Sequence, residues 1–329
     1  MLANVLGLAS PEEVFPWQED LLARFQRSEI PSALDIPTGL GKTAVRASWL
    51  VARACGPKLP RRLVYVVDRR AVVDQATDVA LGLRAFVDAH RVMKNHLVLR
   101  HDQSLPISTL RGQYVDSREW LEDPATPSII VGTVDMVGSR LLVEGYGVSR
   151  KMRPYPAGLL GADTLVVLDE AHLVPPFEQL LRGIAEDDAL RGRDPKCGAL
   201  VPPFRLLSLS AMGRTQGDGV VGLTEKDLDR DVVKRRLFAR KSLRIEEFDE
   251  ATKLEDALAK HAWVLAEEGK KPVRVLVYAD RREVARKAKE GIEKLAKGDK
   301  NAGNPQMKIE TELFVAAGGY SNAKERRSG

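Results

Sequence analysis

Cysteine is scarce in this chain of 329 residues, which contains only Cys55 and Cys197. Two cysteines cannot form the disulfide framework of a small secreted domain or a four-cysteine metal site. The sequence also lacks an apolar run of membrane-spanning length. Its apolar start, residues 1–9, has no preceding basic residues and is soon followed by acidic ones, unlike a signal peptide. These absences predict a protein of the reducing cytoplasm with no membrane partner.

Neither sign of charge dominates, since 51 basic and 46 acidic residues give a net charge of +5. A mildly basic protein suits a polyanionic partner such as nucleic acid, but a solvated charged surface explains the excess equally well. The length and a 44% share of hydrophobic residues are enough for about two domains with cores of their own. We place the boundary near Lys241, so that residues 1–240 form the first domain and residues 241–329 the second.

A glycine-rich stretch stands between a short apolar run and a helical pattern. It reads Pro37-Thr38-Gly39-Leu40-Gly41-Lys42-Thr43. Its two glycines let the backbone wrap around phosphate oxygens, while N–H groups of the loop and of the helix N-terminus point at the anion. Lys42 can reach the terminal phosphates of a nucleotide, and the Thr43 hydroxyl can ligate magnesium. The stretch predicts a phosphate-binding loop; the alternative is a chance glycine-rich turn, since the general motif has glycine where Ile36 stands.

Further apolar runs recur along the chain and alternate with helical patterns. They occupy residues 63–67, 128–131, 164–168 and 205–209. Continuous runs rich in branched residues are typical of parallel strands that are buried on both faces. The predicted fold class is therefore α/β, a parallel sheet with helices on both faces. Polar motifs follow most of these runs, at the carboxyl edge where such sheets bind ligands.

Two adjacent carboxylates, Asp169 and Glu170, follow the run at residues 164–168. Asp169 can hold magnesium through the metal's hydration shell, and Glu170 can polarise an attacking water. The alternative is a solvated acidic turn, which is disfavoured because a phosphate loop is present in the same chain. Ser210, after the next run, is a candidate for coupling phosphate loss to motion.

Upstream of the loop, Gln18 follows an aromatic residue and is predicted to recognise adenine, because an amide both donates and accepts hydrogen bonds. The alternative is a helix-start residue with an exposed amide. The pair His101-Asp102 lacks the surrounding acidic and histidine cluster of a two-metal nuclease, so a surface loop is favoured there. The basic stretch at residues 145–161 is either a loop that touches a phosphate backbone or a solvated one.

Residues 62–70 and 274–282 are near copies, each an apolar run that ends in Asp-Arg-Arg. The repeat predicts a second α/β unit, with a strand at residues 276–279 and a helix to about Lys294. The alternative is convergence, because aspartate is a favoured helix cap. A further strand is predicted at residues 308–316 before a polar tail, which leaves the second domain incomplete.

Three motifs in this order resemble superfamily 2 DEAD/DEAH-box helicases. They are the phosphate loop at residues 37–43, Asp169-Glu170-Ala171-His172 and Ser210-Ala211-Met212. Other short segments are similar to the effector helicase of type I CRISPR systems, in the subtype without an N-terminal nuclease domain. These segments lie at residues 65–70, 110–112, 132–135, 152–154 and 159–173. The resemblance covers roughly residues 12–315 and implies two RecA-like domains, the second of them incomplete here.

The resemblance implies an ATP-dependent DNA helicase or translocase that moves 3′ to 5′, with ATP and magnesium as cofactors. Implied partners are single-stranded DNA, a crRNA-guided surveillance complex and a nuclease domain or subunit. The catalytic residues would be Lys42, Asp169 and Glu170, with Thr43 and Asp169 at the magnesium. The remaining roles fall to Gln18 for adenine; Pro37, Thr38, Gly39, Leu40, Gly41, Lys42 and Thr43 for phosphates; Arg69, Arg70 and Thr133 for the DNA backbone; and His172, Ser210 and Ala211 for coupling.

Two departures from the family pattern affect the expected activity. Met212 stands where the third motif usually has threonine, and residues 241–329 contain no Gln-x-x-Gly-Arg-x-x-Arg motif, which supplies arginine fingers. Loss of such an arginine lowers hydrolysis by orders of magnitude, so slow hydrolysis by this chain alone is expected. Two alternatives stay open: a non-catalytic nucleotide- and DNA-binding docking module, and a general DEAH-box repair or RNA helicase outside CRISPR.

Overall fold

A computed structural model describes most of the chain and divides it into two compact units, Met1–Ala239 and Arg240–Gly329. The described residues are 1–56, 58–110, 118–190, 201–211, 219–240, 242–247, 253–267, 273–298, 311 and 313. The strands are β1 (Ala33–Asp35), β2 (Arg62–Val67), β3 (Ile107–Leu110), β4 (Ser128–Thr133), β5 (Thr164–Leu168), β6 (Arg205–Ser210) and β7 (Val220–Gly222). All of them belong to the first unit.

The helices of the first unit surround this sheet. They are α1 (Leu2–Val5), α2 (Pro16–Gln26), α3 (Val45–Ala54), α4 (Arg70–Ala89), α5 (Arg91–His96), α6 (Glu119–Glu122), α7 (Val134–Leu142), α8 (Pro154–Gly161), α9 (Pro175–Glu186), α10 (Glu225–Leu228) and α11 (Asp231–Leu237). Short 3-10 turns lie at Pro11–Glu13, Lys42–Ala44 and Ala171–Leu173. The second unit contributes α12 (Leu254–Leu265) and α13 (Arg282–Gly298).

Among the described residues, seven strands form one sheet in the order β3-β4-β2-β5-β6-β1-β7. Every pair of neighbouring strands runs parallel. Parallel neighbours need a crossover connection over one face of the sheet, and helices lie between successive strands from β1 to β6. The predicted α/β fold class, a parallel sheet covered by helices, is confirmed.

Two apolar cores lie on the two faces of the sheet, and side chains alternate between them along β2. Leu63 and Tyr65 belong to the first core, which also contains Trp17 of α2 and Trp49 of α3. Val64 and Val66 belong to the second core, with residues of α7, α8 and α9. Burial on both faces explains why the strand sequences are continuous apolar runs rather than alternating ones.

The strand order also determines which loops are neighbours. β6 lies between β1, which precedes the phosphate loop, and β5, which precedes the acidic pair. The register pairs Asp35 with Ser210 and Leu168 with Ser208, so the carboxyl ends of these three strands lie at one edge. The loops of the three helicase-like motifs therefore converge there.

The structure gives the bounds of the helices around these strands. Helix α2 begins at Pro16 itself, since proline suits the first helical position. The basic loop predicted at residues 145–161 contains α8 in its second half. The segment after β7 forms two short helices, α10 and α11, rather than one long helix.

The second unit contains two packed helices among its described residues. A β-carbon added to Gly291 of α13 would lie only 2.8 Å from that of Ala259 of α12, so glycine permits the close approach. The strand predicted at residues 276–279 is absent from the described residues of this unit, because none of them forms a ladder beside it. The strand predicted at residues 308–316 falls mostly outside the described residues.

Candidate nucleotide-binding site

The phosphate loop follows β1 and turns twice through left-handed backbone. Gly39 has φ of +85° and Gly41 has φ of +79°, both in the region that glycine adopts without a steric penalty. A β-carbon on Gly41 would also come within 2.8 Å of Nε2 of Gln18. The backbone conformation thus favours glycine at residue 41, and a side chain there would also displace the Gln18 amide. Leu40 is buried beneath the loop, whereas Thr38 and Thr43 are exposed.

Lys42 extends from the loop to the acidic pair after β5. Its Nζ donates a 2.8 Å hydrogen bond to Oε1 of Glu170 and forms an ion pair with it. The lysine side chain is 8% exposed and the glutamate 30% exposed, so water screens this pair less than a surface ion pair. The structure brings together the two motifs that the sequence places 128 residues apart.

Asp169 is held from two sides. Its Oδ2 accepts a 2.7 Å hydrogen bond from the Tyr65 hydroxyl, and its Oδ1 accepts from the Glu170 backbone N–H at 3.1 Å. Burial raises the pKa of the Asp169 carboxyl, and the hydrogen bond from Tyr65 partly opposes that rise. Burial and the adjacent Asp169 charge together raise the pKa of Tyr65 well above its ordinary value. The phenol therefore stays a hydrogen-bond donor to the carboxylate.

A buried arginine supports this tyrosine and was not predicted from the sequence. The Arg46 guanidinium lies 4.2 Å from the centre of the Tyr65 ring, a cation–π contact, and donates to the Ala76 carbonyl. Arg46 lies on α3, one turn after the phosphate loop, and Tyr65 lies on β2. Neither residue type nor spacing signals the contact, because it depends on how α3 crosses the sheet.

Glu170 itself has a left-handed backbone, with φ of +48° and ψ of +48°. Such a conformation is uncommon for a residue with a side chain and is concentrated at functional sites. Nδ1 of His172 lies 3.4 Å from Oε2 of Glu170 without a hydrogen bond to any described residue. The histidine predicted to couple the motifs is thus next to the acidic pair.

Gln18 lies against the phosphate loop but uses its amide locally. Its Oε1 accepts from the Phe15 backbone N–H at 3.1 Å, and its Nε2 donates to the Gly41 carbonyl at 3.3 Å. Gln18 thus lies in the first turn of α2, as the alternative to adenine recognition predicts, but its amide is buried and not exposed. One donor of the amide is left for a ligand, and its role toward adenine stays a prediction.

Ser210 connects the third motif to the strand before the loop. Its carbonyl accepts a 3.1 Å hydrogen bond from the Ile36 N–H, and its side chain is buried. Ala211 follows as a half-buried residue, and Met212 lies outside the described residues. The position suits a coupling role, which stays a prediction.

The predicted DNA-contacting residues are dispersed at the same edge of the sheet. Arg69 is 64% exposed and pairs with its neighbour Asp68. Thr133 is buried, and its hydroxyl accepts from the Met136 N–H as the cap of α7. The side chain of Arg70 is not among those that the structure describes. Exposure thus suits Arg69 for a phosphate contact, whereas Thr133 has a structural role in addition to any other.

The donor set fits magnesium, which commonly uses one or two carboxylates together with substrate phosphates and water. Asp169, Glu170 and the exposed Thr43 hydroxyl offer the hard oxygen ligands that it prefers. Within the described parts of the chain, no group of three or more metal-binding side chains occurs. The pair His101-Asp102 is therefore not part of such a group. None of the described helices combines the length and apolar composition of a membrane crossing.

Replacing Tyr65 by phenylalanine tests the support of Asp169. The change removes the donor to Oδ2 and leaves an oxygen of the half-buried Asp169 carboxylate without this partner, so the free energy of unfolding should fall by about 1–3 kcal/mol. The magnesium concentration for half-maximal ATP hydrolysis should rise about tenfold, as for lost partners of metal ligands. Denaturant unfolding and a magnesium titration measure the two effects. Tyr146→Phe, at a half-exposed tyrosine, is the matched control; equal behaviour of both variants would contradict the assignment.

No protein-family model matches the chain, and no curated protein does. Among solved structures, the chain is similar to the Sulfolobus solfataricus SWI2/SNF2 ATPase core in complex with dsDNA, with 13% sequence identity and a TM-score of 0.29. The match covers 60% of this chain and 32% of that one. Likeness at this level does not indicate an activity.

Proposed function

We propose that the first unit binds and hydrolyses ATP with magnesium. The observation that carries the proposal is the 2.8 Å contact between Lys42 of the phosphate loop and Glu170 after β5. A glycine loop, a lysine and two carboxylates at one edge of a parallel sheet are the groups that phosphoanhydride hydrolysis needs. The alternative, a chance glycine turn and an unrelated acidic turn, does not require the two turns to be in contact.

Each group has a distinct task in this proposal. The loop N–H groups and Lys42 bind the phosphate oxygens and stabilise negative charge. Thr43 and Asp169 would hold magnesium, which neutralises charge on the transferred phosphoryl group. Glu170 orients and polarises the attacking water, and His172 beside it responds to the carboxylate's position. Tyr65 keeps Asp169 in one orientation.

We further propose that hydrolysis drives movement along DNA in type I CRISPR interference, with residues 1–240 as the first RecA-like domain and residues 241–329 as the start of a second. The support is the order of the helicase-like motifs and the less specific similarity of the segments at residues 65–70, 132–135 and 159–173 to the CRISPR effector helicase. The proposed partners are single-stranded DNA and a crRNA-guided surveillance complex, with a nuclease domain or subunit, in the cytoplasm. Exposed Arg69 would contact phosphates without reading sequence.

One observation favours a second candidate. The sequence of residues 241–329 has no arginine-finger motif, so a docking module that binds nucleotide and DNA without rapid turnover is also consistent with the site. A general DEAH-box repair or RNA helicase would use the same phosphate contacts, because these contacts do not depend on the process in which the helicase acts.

Phosphate release by the full chain tests the proposal. With Mg–ATP we expect slow hydrolysis that stops on chelation of magnesium and rises with single-stranded DNA. Equal lengths of single-stranded DNA, double-stranded DNA and RNA should be compared at one salt concentration, because phosphate contacts are salt-dependent. Absence of ATP binding in calorimetry would refute the ATPase proposal. Stronger stimulation by RNA than by DNA would refute the DNA translocase and favour the general helicase.

A further inference from the structure

Helices α10 and α11 are anchored to the segment that carries Gln18. The carboxylate of Asp227, which is fully buried, accepts from the Trp17 N–H at 3.1 Å and from the Thr224 N–H and hydroxyl. Arg230 donates to the carbonyls of Glu12 and Val14. The contact of Asp227 with Trp17 and those of Arg230 with Glu12 and Val14 join residues more than 200 positions apart in sequence. They therefore fix where α11 begins.

The following turn of α11 is held as well. Val233 is completely buried in the first core of the sheet. A helix with one end tied by hydrogen bonds and its middle buried has a defined direction. Its last turn, Lys234 to Leu237, therefore has a defined place beside the nucleotide-binding edge.

Arg236 in this last turn reaches the phosphate loop. A β-carbon built on Gly39 would lie 3.9 Å from Nη1 of Arg236, and no other described atom beyond the chain neighbours lies within 4 Å of that point. Within the described part of the chain, Arg236 has no ion pair or hydrogen bond. Its neighbour Lys234, by contrast, pairs with Asp229 at 3.5 Å. The guanidinium faces the loop and not a carboxylate.

This placement is electrostatically specific. The N–H groups of a phosphate loop carry partial positive charge toward the anion that they bind. A guanidinium brought to the same loop adds a full positive charge, which is unfavourable until an anion lies between them. Arginine is also the side chain whose planar fork best matches phosphate oxygens.

We propose that Arg236 is a phosphate-binding residue for the nucleoside triphosphate, supplied by α11 of the first unit. The proposal rests on the ATP-binding function proposed above. It assigns a cationic contact to a helix that no helicase-like motif of the sequence includes. It also gives the first unit a phosphate-directed arginine of its own, independent of any arginine in residues 241–329.

A charge series at this residue tests the assignment in the full chain. Relative to wild type, Arg236→Gln should raise the Kd for Mg–ATP about tenfold, and Arg236→Glu about a hundredfold. Arg236→Lys, which keeps the charge without the fork, should fall between wild type and Arg236→Gln. Arg235→Gln removes the same charge from the exposed neighbouring residue and should stay within about twofold of wild type. A fluorescent ATP analogue with unlabelled competitor measures these constants.

The outcomes separate this proposal from the one it rests on. If wild type binds Mg–ATP and Lys42→Ala does not, but the Arg236 series is flat, the assignment of Arg236 is overturned and the ATP site stands. Equal losses in Arg235→Gln and Arg236→Gln would overturn it too, as a general charge effect. If wild type shows no ATP binding, the ATP site itself fails. Thermal midpoints without nucleotide should be the same for wild type and for the Arg235 and Arg236 variants, because both residues are exposed; a loss of binding in these variants is then not a loss of folding.

Discussion

Lys42→Ala is expected to abolish ATP turnover and to weaken Mg–ATP binding about a hundredfold. The lysine is almost fully buried and contacts the acidic pair at 2.8 Å, so its charge acts in a poorly solvated site where a lost charge contact costs several kcal/mol. Phosphate release and binding of a fluorescent ATP analogue measure the two effects. Folding should change little, because Glu170 is partly exposed and can be hydrated once its partner is gone.

The control for this change is Lys58→Ala, at an exposed lysine between α3 and β2. It removes the same side chain away from the site and should leave both measurements unchanged. Wild-type turnover in Lys42→Ala would show that the glycine loop does not bind the nucleotide.

Glu170→Gln should lower the rate of ATP hydrolysis about 10²- to 10³-fold while Mg–ATP affinity is kept, because the amide cannot accept a proton from the attacking water. Single-turnover hydrolysis separates the chemical step from binding. The amide fills the same space and can still accept from Lys42, so the loop should keep its position. Glu186→Gln, at an exposed residue that ends α9, is the matched control and should hydrolyse ATP like wild type.

The same variant distinguishes a motor from a docking module. In an interference assay, a motor requires hydrolysis and should fail with Glu170→Gln. Complementation by Glu170→Gln equal to wild type would show that nucleotide binding alone is enough, which would favour the docking module over the translocase.

The sequence was sufficient to predict the five central strands of the sheet, β4, β2, β5, β6 and β1, and the two motifs that meet at its carboxyl edge. The apolar run at residues 164–168 predicts β5 with its observed bounds, because a strand buried on both faces leaves an uninterrupted apolar signal. Once the strands are parallel, their polar carboxyl ends must share an edge. The approach of Lys42 to Glu170 is thus an outcome of topology that motif order already suggests.

The missed features depend on neighbours that the sequence does not reveal. β3 is four residues long and β7 only three, and both lie at edges of the sheet with one paired neighbour. β7 also lies in a glycine-rich stretch that resembles a loop. At residues 276–279 a strand was predicted but is not formed. The run is apolar like β2, but an apolar pattern does not supply a strand to pair with.

Side-chain contacts between distant elements could not be predicted from the sequence either. Tyr65 and Arg46 have ordinary neighbours in sequence, and their contact depends on the crossing of α3 over β2. Arg236 is one of several basic residues in its stretch, and only the anchoring of α11 through Asp227 and Val233 distinguishes it.

The left-handed turn at Glu170 has a consequence for the balance between stability and action. At this φ, glycine would be favoured over a residue with a β-carbon by about 1–2 kcal/mol. A chain shaped by folding alone would therefore place glycine at the end of β5. Under the proposed function, the carboxylate of Glu170 is needed for hydrolysis, although glycine at this residue would give a more stable fold.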